Sequence, residues 1–277
     1  MQRFLGISAI ALFAMALVFA PGALAQNEAN VTQAGTDGDV IIAQDGDSNV
    51  ATVNQLAESF GSTVDIAQSG DSSIVSVAQA GGTGPDGDPS FLNSVTVSQT
   101  GTGDDDNTLL IAQGVTGMGG KDDPVGDMAS WGNLVDAVQG GDSPGSGLTG
   151  ALQQTGPSNT IQFVQDGTDS DAFIMQTGDV DVDGIVSGGG NSATTQQTGN
   201  ANSLSVTQGF DEAGLQGGNA ASITQIGDEN LAVLEQSGDQ CTATFLQEGA
   251  AVATAIQSGI NNSVSITQSV PETSDSQ

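Results

Sequence analysis

One short pattern recurs along most of this chain: an Asn, five residues, a Gln, one residue, a Gly. Clear copies are Asn93 to Gln99 with Gly101, Asn159 to Gln165 with Gly167, Asn219 to Gln225 with Gly227, and Asn230 to Gln236 with Gly238. The Gln position is filled by Gln33, Gln44, Gln55, Gln68, Gln79, Gln99, Gln113, Gln139, Gln154, Gln165, Gln176, Gln197, Gln208, Gln225, Gln236, Gln247, Gln257 and Gln268. Asn stands six residues earlier at Asn27, Asn49, Asn93, Asn107, Asn133, Asn159, Asn191, Asn202, Asn219, Asn230 and Asn262, and Ser62, Ser73 and Ser170 take that place elsewhere. A degenerate nineteenth unit puts Ser187 and Gly189 in the Gln and Gly slots. Neighbouring Gln positions are most often 11 residues apart. A unit this short cannot bury a face alone, so copies must stack.

Within a unit, side chains of an extended strand alternate with period two, which puts Asn and Gln on one face. The residues between them on that face are apolar, as in Val64 and Ile66, Val75 and Val77, Leu109 and Ile111, Ile161 and Phe163, and Val264 and Ile266. The opposite face is mostly Ser, Thr, Asp or Ala, as in Ser94, Thr96 and Ser98. That alternation predicts a half-buried strand followed by a Gly-based reversal. Two units make a strand–turn–strand rung of about 22 residues, the repeat length of a solenoid. The fold class is therefore all-β: a β-solenoid of about nine rungs, close to 43 Å long at ~4.8 Å per rung. Stacked rungs also rationalise the buried amides, because each can donate to the amide above and accept from the one below.

Longer spacings mark loops rich in Gly, Pro and Asp, near residues 81–90, 115–132, 141–147 and 210–218. Strands alternate between two walls, so turns alternate between two edges. The two longest insertions follow the fifth and seventh units, after Gln79 and Gln113, and belong on the same edge one rung apart. Residues 1–25 read as a secretory signal: Arg3, an apolar run from Phe4 to Ala20, and the small-x-small pattern of Ala23-Leu24-Ala25. The solenoid then occupies residues 26–268, and 269–277 form a short polar tail.

The chain carries a formal net charge of −31, with no His and a single Cys. Removing residues 1–25 leaves Lys121 as the one cation against 33 acids. This balance disfavours nucleic acid as a partner. No disulfide framework, catalytic triad or acid–base pair can be nominated. Asp65, Asp136 and Glu235 are expected to point outward, and Cys241, in an Asn slot, inward. Gly188-Gly189-Gly190 lacks the Lys and helix of a phosphate loop. Trp131 and Met128 end the longest insertion. Carboxylates cluster in turns (Asp45, Asp47, Asp71, Asp104 to Asp106, Asp228, Glu229 and Asp239), where they repel other chains. The sharper alternative is bridging by Ca²⁺; no other cofactor is expected.

These units resemble the curlin repeat, Ser-x5-Gln-x-Gly-x-x-Asn-x5-Gln. Ser73 to Gln79 with Gly81 matches its first half, and Asn159 to Gln165 followed by Ser170 to Gln176 gives two halves in tandem. The resemblance implies a curli-type functional amyloid subunit, exported through an outer-membrane secretion pore, that polymerises with itself on the cell surface, with a related nucleator as a second partner. Its fibres would serve biofilm matrix and adhesion. It also implies that the Asn and Gln positions above form the assembly ladder, with Asn27, Gln33, Asn262 and Gln268 at the growth ends. The residues leave two other readings open: a monomeric secreted solenoid presenting an adhesive, ice-binding or Ca²⁺-binding surface, and a β-helix enzyme, which the absence of His disfavours.

Overall fold

The computed structural model describes residues 27–34, 37–56, 61–80, 93–101, 107–113, 133–141, 148–155, 159–177, 190–209 and 218–269. The strands are β1 (Glu28–Gln33), β2 (Asp39–Asp45), β3 (Val50–Gln55), β4 (Thr63–Ser69), β5 (Ile74–Gln79), β6 (Ser94–Gly101), β7 (Thr108–Gln113), β8 (Leu134–Gly141) and β9 (Thr149–Thr155). They continue as β10 (Thr160–Asp166), β11 (Asp171–Thr177), β12 (Ser192–Thr198), β13 (Ser203–Gly209), β14 (Ala220–Ile226), β15 (Leu231–Asp239), β16 (Thr242–Glu248), β17 (Val252–Ile260) and β18 (Ser263–Ser269). Odd strands form one nine-stranded sheet and even strands another, each in sequence order. Every pairing is parallel and aligns Gln on Gln, as in Gln197↔Gln225 and Gln208↔Gln236. The architecture is the expected β-solenoid.

Burial follows the alternation in the sequence. In β13, Leu204, Val206 and Gln208 are buried and Ser203, Ser205 and Thr207 are not. The core is a single column of inward residues from both walls, running from Ala51 and Val53 to Ala253 and Ala255. The end strands are less covered for lack of a neighbour: Val31 of β1 is 42% exposed, whereas Val53, directly above it, is 1% exposed.

The insertion after Gln79 joins β5 to β6, and the one after Gln113 joins β7 to β8. Both lead from the odd sheet to the even sheet in successive rungs, so the described strand ends that flank them lie on one edge; the insertions themselves lie outside the described residues. β12 pairs directly with β10, and β13 directly with β11. Among the described residues the repeat is eighteen strands in nine rungs. Ser187 and Gly189 lie outside the described residues, as do residues 1–26 and 270–277, Trp131, Met128 and Asp104 to Asp106.

Two core details were not visible in the alternation. Gly150 faces inward in β9, where an added Cβ would come within 2.7 Å of Leu109 Cδ1 and 3.1 Å of Phe163 Cε1. The missing side chain makes room for Phe163, the largest class of core residue, in the opposite wall of the same rung. Thr195 occupies an inward apolar position between Phe163 and Ile223, and its buried Oγ1 has no hydrogen-bond partner. A buried unpaired hydroxyl costs free energy that an isosteric methyl does not. Thr195→Val is therefore expected to raise unfolding stability by about 1 kcal/mol, read as a higher urea midpoint at unchanged m-value.

Candidate assembly site: two amide ladders and their turns

The Gln side chains form two continuous ladders, one in each wall. In the odd wall, Nε2 donates to the next Oε1 from Gln33 through Gln55, Gln79, Gln113, Gln154, Gln176, Gln208 and Gln236 to Gln257, at 2.8–3.0 Å. In the even wall the chain runs from Gln44 through Gln68, Gln99, Gln139, Gln165, Gln197, Gln225 and Gln247 to Gln268, at 2.7–3.3 Å. The donor sense is the same throughout. It is fixed by a second bond from Nε2 to a backbone carbonyl of the facing wall, such as Gln176 to Thr160 O at 3.0 Å and Gln247 to Leu231 O at 3.0 Å. Each interior Gln thus links its rung to the next and also ties the two walls together. Both its amide hydrogens are used, so its burial carries no orphaned donor.

The Asn positions work differently from the expected amide-to-amide ladder. Their Oδ1 accepts from the backbone N–H of the corresponding residue one rung on: Asn49 N donates to Asn27 at 3.0 Å, Asn159 N to Asn133 at 2.8 Å, Asn191 N to Asn159 at 3.1 Å and Asn219 N to Asn191 at 3.1 Å. Their Nδ2 caps turn carbonyls, as Asn49 does to Gly70 O at 2.7 Å and Asn219 to Gly238 O at 3.0 Å. Asn230 Nδ2 also donates to Asn202 Oδ1, a side-chain amide link at 3.0 Å. The difference is one of reach. Asn is one methylene shorter than Gln and sits where the strand begins, so the nearest partner is the backbone of the neighbouring arc. This explains why other side chains are tolerated there. Ser170 Oγ accepts from Asn202 N at 3.2 Å, and Leu148, Ala251 and Cys241 still donate their own N–H to the Asn below. Of the remaining ladder positions, Asn93 and Asn107 accept in the same way from Asn133 N and Leu148 N, and Asn262 Nδ2 reaches Ser258 O. Among the ladder positions, the outermost residues Asn27, Gln33, Gln44, Asn262 and Gln268 escape full burial.

Turns stack as well. Gly199 N donates to Asp166 O and Gly227 N to Thr198 O, both at 2.9 Å. Gly46, Gly70, Gly167, Gly199 and Gly227 all have positive φ in this edge of the solenoid, a conformation that favours glycine. Turn carboxylates take part in the arcs, since Asp47 N donates to Asp71 Oδ1 at 2.9 Å and Asn200 N to Asp228 Oδ1 at 2.8 Å. Among the described residues no three His, Cys, Asp or Glu gather as a metal-binding group. Asp65, Asp136 and Glu235 are exposed on the outward faces, and the Cys241 thiol is buried, 3.3 Å from Gly259 O.

A parallel two-walled stack with continuous Gln ladders defines an amide-laddered β-solenoid, a repeat protein in which, among the described residues, β1, β2, β17 and β18 are the outermost strands. Within it, residues 218–249, which run from the start of β14 through β16, match the family model of the curlin associated repeat. The chain thus carries a curlin-type repeat, and the spacing and hydrogen bonding of that segment recur in the other rungs. No curated protein and no solved structure matches the chain.

Proposed function

We propose that this protein is a secreted structural subunit that polymerises with itself into an extracellular curli-like amyloid fibre for biofilm matrix and surface adhesion. The observation that carries this reading is that both Gln ladders run to the last described rung at each end. Gln33 and Gln44 finish with acceptor oxygens, and Gln257 and Gln268 with donor nitrogens. Soluble solenoids close such ends with atypical capping units, because open strands are templates for another chain. Curlin-type repeats supply the link to fibres. Residues 1–25 would direct export, and the outer-membrane pore and a nucleator subunit are the further partners this reading calls for.

The test is a thioflavin-T time course on residues 26–277 with and without Ca²⁺, followed by fibre diffraction. A sigmoidal rise shortened by preformed seeds, with reflections near ~4.7 and ~10 Å, is the expected outcome. A β-rich species that stays monomeric at high concentration would transfer the protein to the soluble-adhesin reading. Growth only with Ca²⁺ would make the turn carboxylates assembly switches.

A further inference from the structure

Acids are unevenly distributed over the outward face of the even wall. Between the Asn and Gln slots, β2, β4 and β8 carry Asp39, Asp65 and Asp136, all exposed. In the same span β10, β12, β14, β16 and β18 carry no charged side chain. The acids thus fall in rungs 1, 2 and 4, and rungs 5–9 are neutral. Strand register places Asp65 and Asp136 in one row with Thr194, Ser222, Thr244 and Ser265, midway along each strand. All four hydroxyl residues are exposed. Thr194 Oγ1 reaches Gln162 Oε1 at 3.4 Å, a weak bond that a carboxylate would displace. The odd wall has no such division. Its acids Glu28, Asp171 and Glu235 lie in rungs 1, 6 and 8, outside the middle row, and Leu110 and Phe173 project beside Ala112 and Ala151.

We propose that two fibres of this chain pair side by side, even wall on even wall, shifted along the axis by half a subunit, so that the acids of each lie over the hydroxyl row of the other. This rests on the fibre reading above and adds a lateral face, away from the ladder ends. A two-fold screw along the fibre axis produces the arrangement. It keeps both stacks pointing the same way, turns the even walls toward each other and sets middle row on middle row. Nine rungs per copy make half a subunit four and a half rungs, about 22 Å at ~4.8 Å per rung. The extra half rung sets each side chain over the gap between two opposite strands, as in interdigitated sheet interfaces. Asp65 then points between Thr194 and Ser222, and Asp136 between Thr244 and Ser265. Two hydroxyl donors give each carboxylate short, charge-assisted bonds, which offset its loss of water. Asp39 meets β10 and β12 where both are neutral. Asp166 and Glu248, beyond the Gln slots, stay in water at the margin. Unshifted pairing would set each of the three acids on its own counterpart, and like charges face to face are destabilising. Antiparallel fibres that match neutral rungs to neutral rungs would bring rung 1 onto rung 4, the strand of Asp39 onto that of Asp136. The patch on one subunit is small, but it repeats along both fibres and the contacts reinforce one another, so pairing belongs to the fibre rather than to the monomer.

Fibres grown from residues 26–277 at about 0.15 M salt, where exposed charges are screened beyond ~8 Å, test this through mass per length and cryo-EM cross-sections. Two copies per nine-rung repeat are expected. Ser222→Asp opposes Asp65 and cuts the paired fraction by about tenfold or more, while thioflavin-T elongation stays within about twofold. Ser205→Asp, in the middle row of the odd wall, leaves pairing intact. Rescue reads the register. Adding Asp65→Asn to Ser222→Asp restores pairs and adding Asp136→Asn does not, although each removes one charge. Thr244→Asp also abolishes pairing and is rescued by Asp136→Asn instead, so the result does not hang on one variant. One copy per repeat in the wild type, pairs that survive both Asp variants, or equal rescue by both Asn variants overturns the lateral pairing and leaves the fibre reading intact. Loss of pairing with Ser205→Asp but not with Ser222→Asp also overturns it, placing the contact on the odd wall. A wild-type protein that cannot be seeded overturns both.

Discussion

Gln197→Ala is expected to lower unfolding stability by about 4 kcal/mol, whereas Gln268→Ala costs under about 1 kcal/mol. The two residues occupy equivalent positions of the repeat in the same wall. Gln197 is fully buried, donates to Gln225 at 2.8 Å and to Asp171 O at 3.3 Å, and accepts from Gln165 at 2.8 Å. Truncation leaves Gln225 Oε1 without its ladder donor, removes the side-chain donor that Asp171 O has, withdraws one acceptor from Gln165, and opens a cavity inside a packed column. Gln197→Leu separates these contributions: it refills most of the volume, keeps the unsatisfied partners and retains roughly half the loss, as the cost of orphaned buried polar groups implies. Gln268 is partly exposed and has one ladder contact, to Gln247 at 3.3 Å, so water replaces what it loses. Urea titration of freshly desalted monomer measures all three. Equal losses at Gln197 and Gln268 would mean that the ladder contributes little beyond its own side-chain burial.

Most of the architecture was legible because one period governed every level. Alternation at two residues assigned Val206 inward and Thr207 outward, and the spacing of Gln208 and Gln236 assigned them to the same wall. The failures arose where the pattern is silent about partners. The role of Asn was misassigned because sequence puts two amides at a six-residue interval without distinguishing a side chain that reaches its counterpart from one that reaches only the neighbouring backbone. Gly150 and Thr195 were invisible for a related reason. Alternation gives the direction of a side chain, but not what faces it from the opposite wall.

Gly199→Ala is expected to cost about 3–5 kcal/mol, a severe effect for one methyl group at a turn. Two independent terms combine. Gly199 has φ +115, a backbone conformation that L side chains rarely adopt. An added Cβ would also lie 2.3 Å from Gly227 O in the rung above. That atom belongs to backbone, so relief requires moving the next arc, and with it Gly227 N to Thr198 O and Glu229 N to Asn200 O, both 2.9 Å. Gly167→Ala shares the mechanism, since its Cβ would come within 1.9 Å of Gly199 O. Gly209→Ala is the control. It ends β13 on the outward side, its nearest prospective neighbour is Thr177 Cβ at 3.9 Å, and its stability should change by less than about 0.5 kcal/mol. Thermal and urea unfolding of the three variants distinguish the stacked-turn account from simple local strain. If local φ strain alone operated, Gly167→Ala and Gly199→Ala would cost only what φ demands, about 1–3 kcal/mol, and would leave hydrogen exchange at Glu229 unprotected no sooner than in the parent. If the arcs act as a ladder, exchange at Glu229 and Ala201 accelerates in both variants, because the displaced turn releases its neighbour in the rung above.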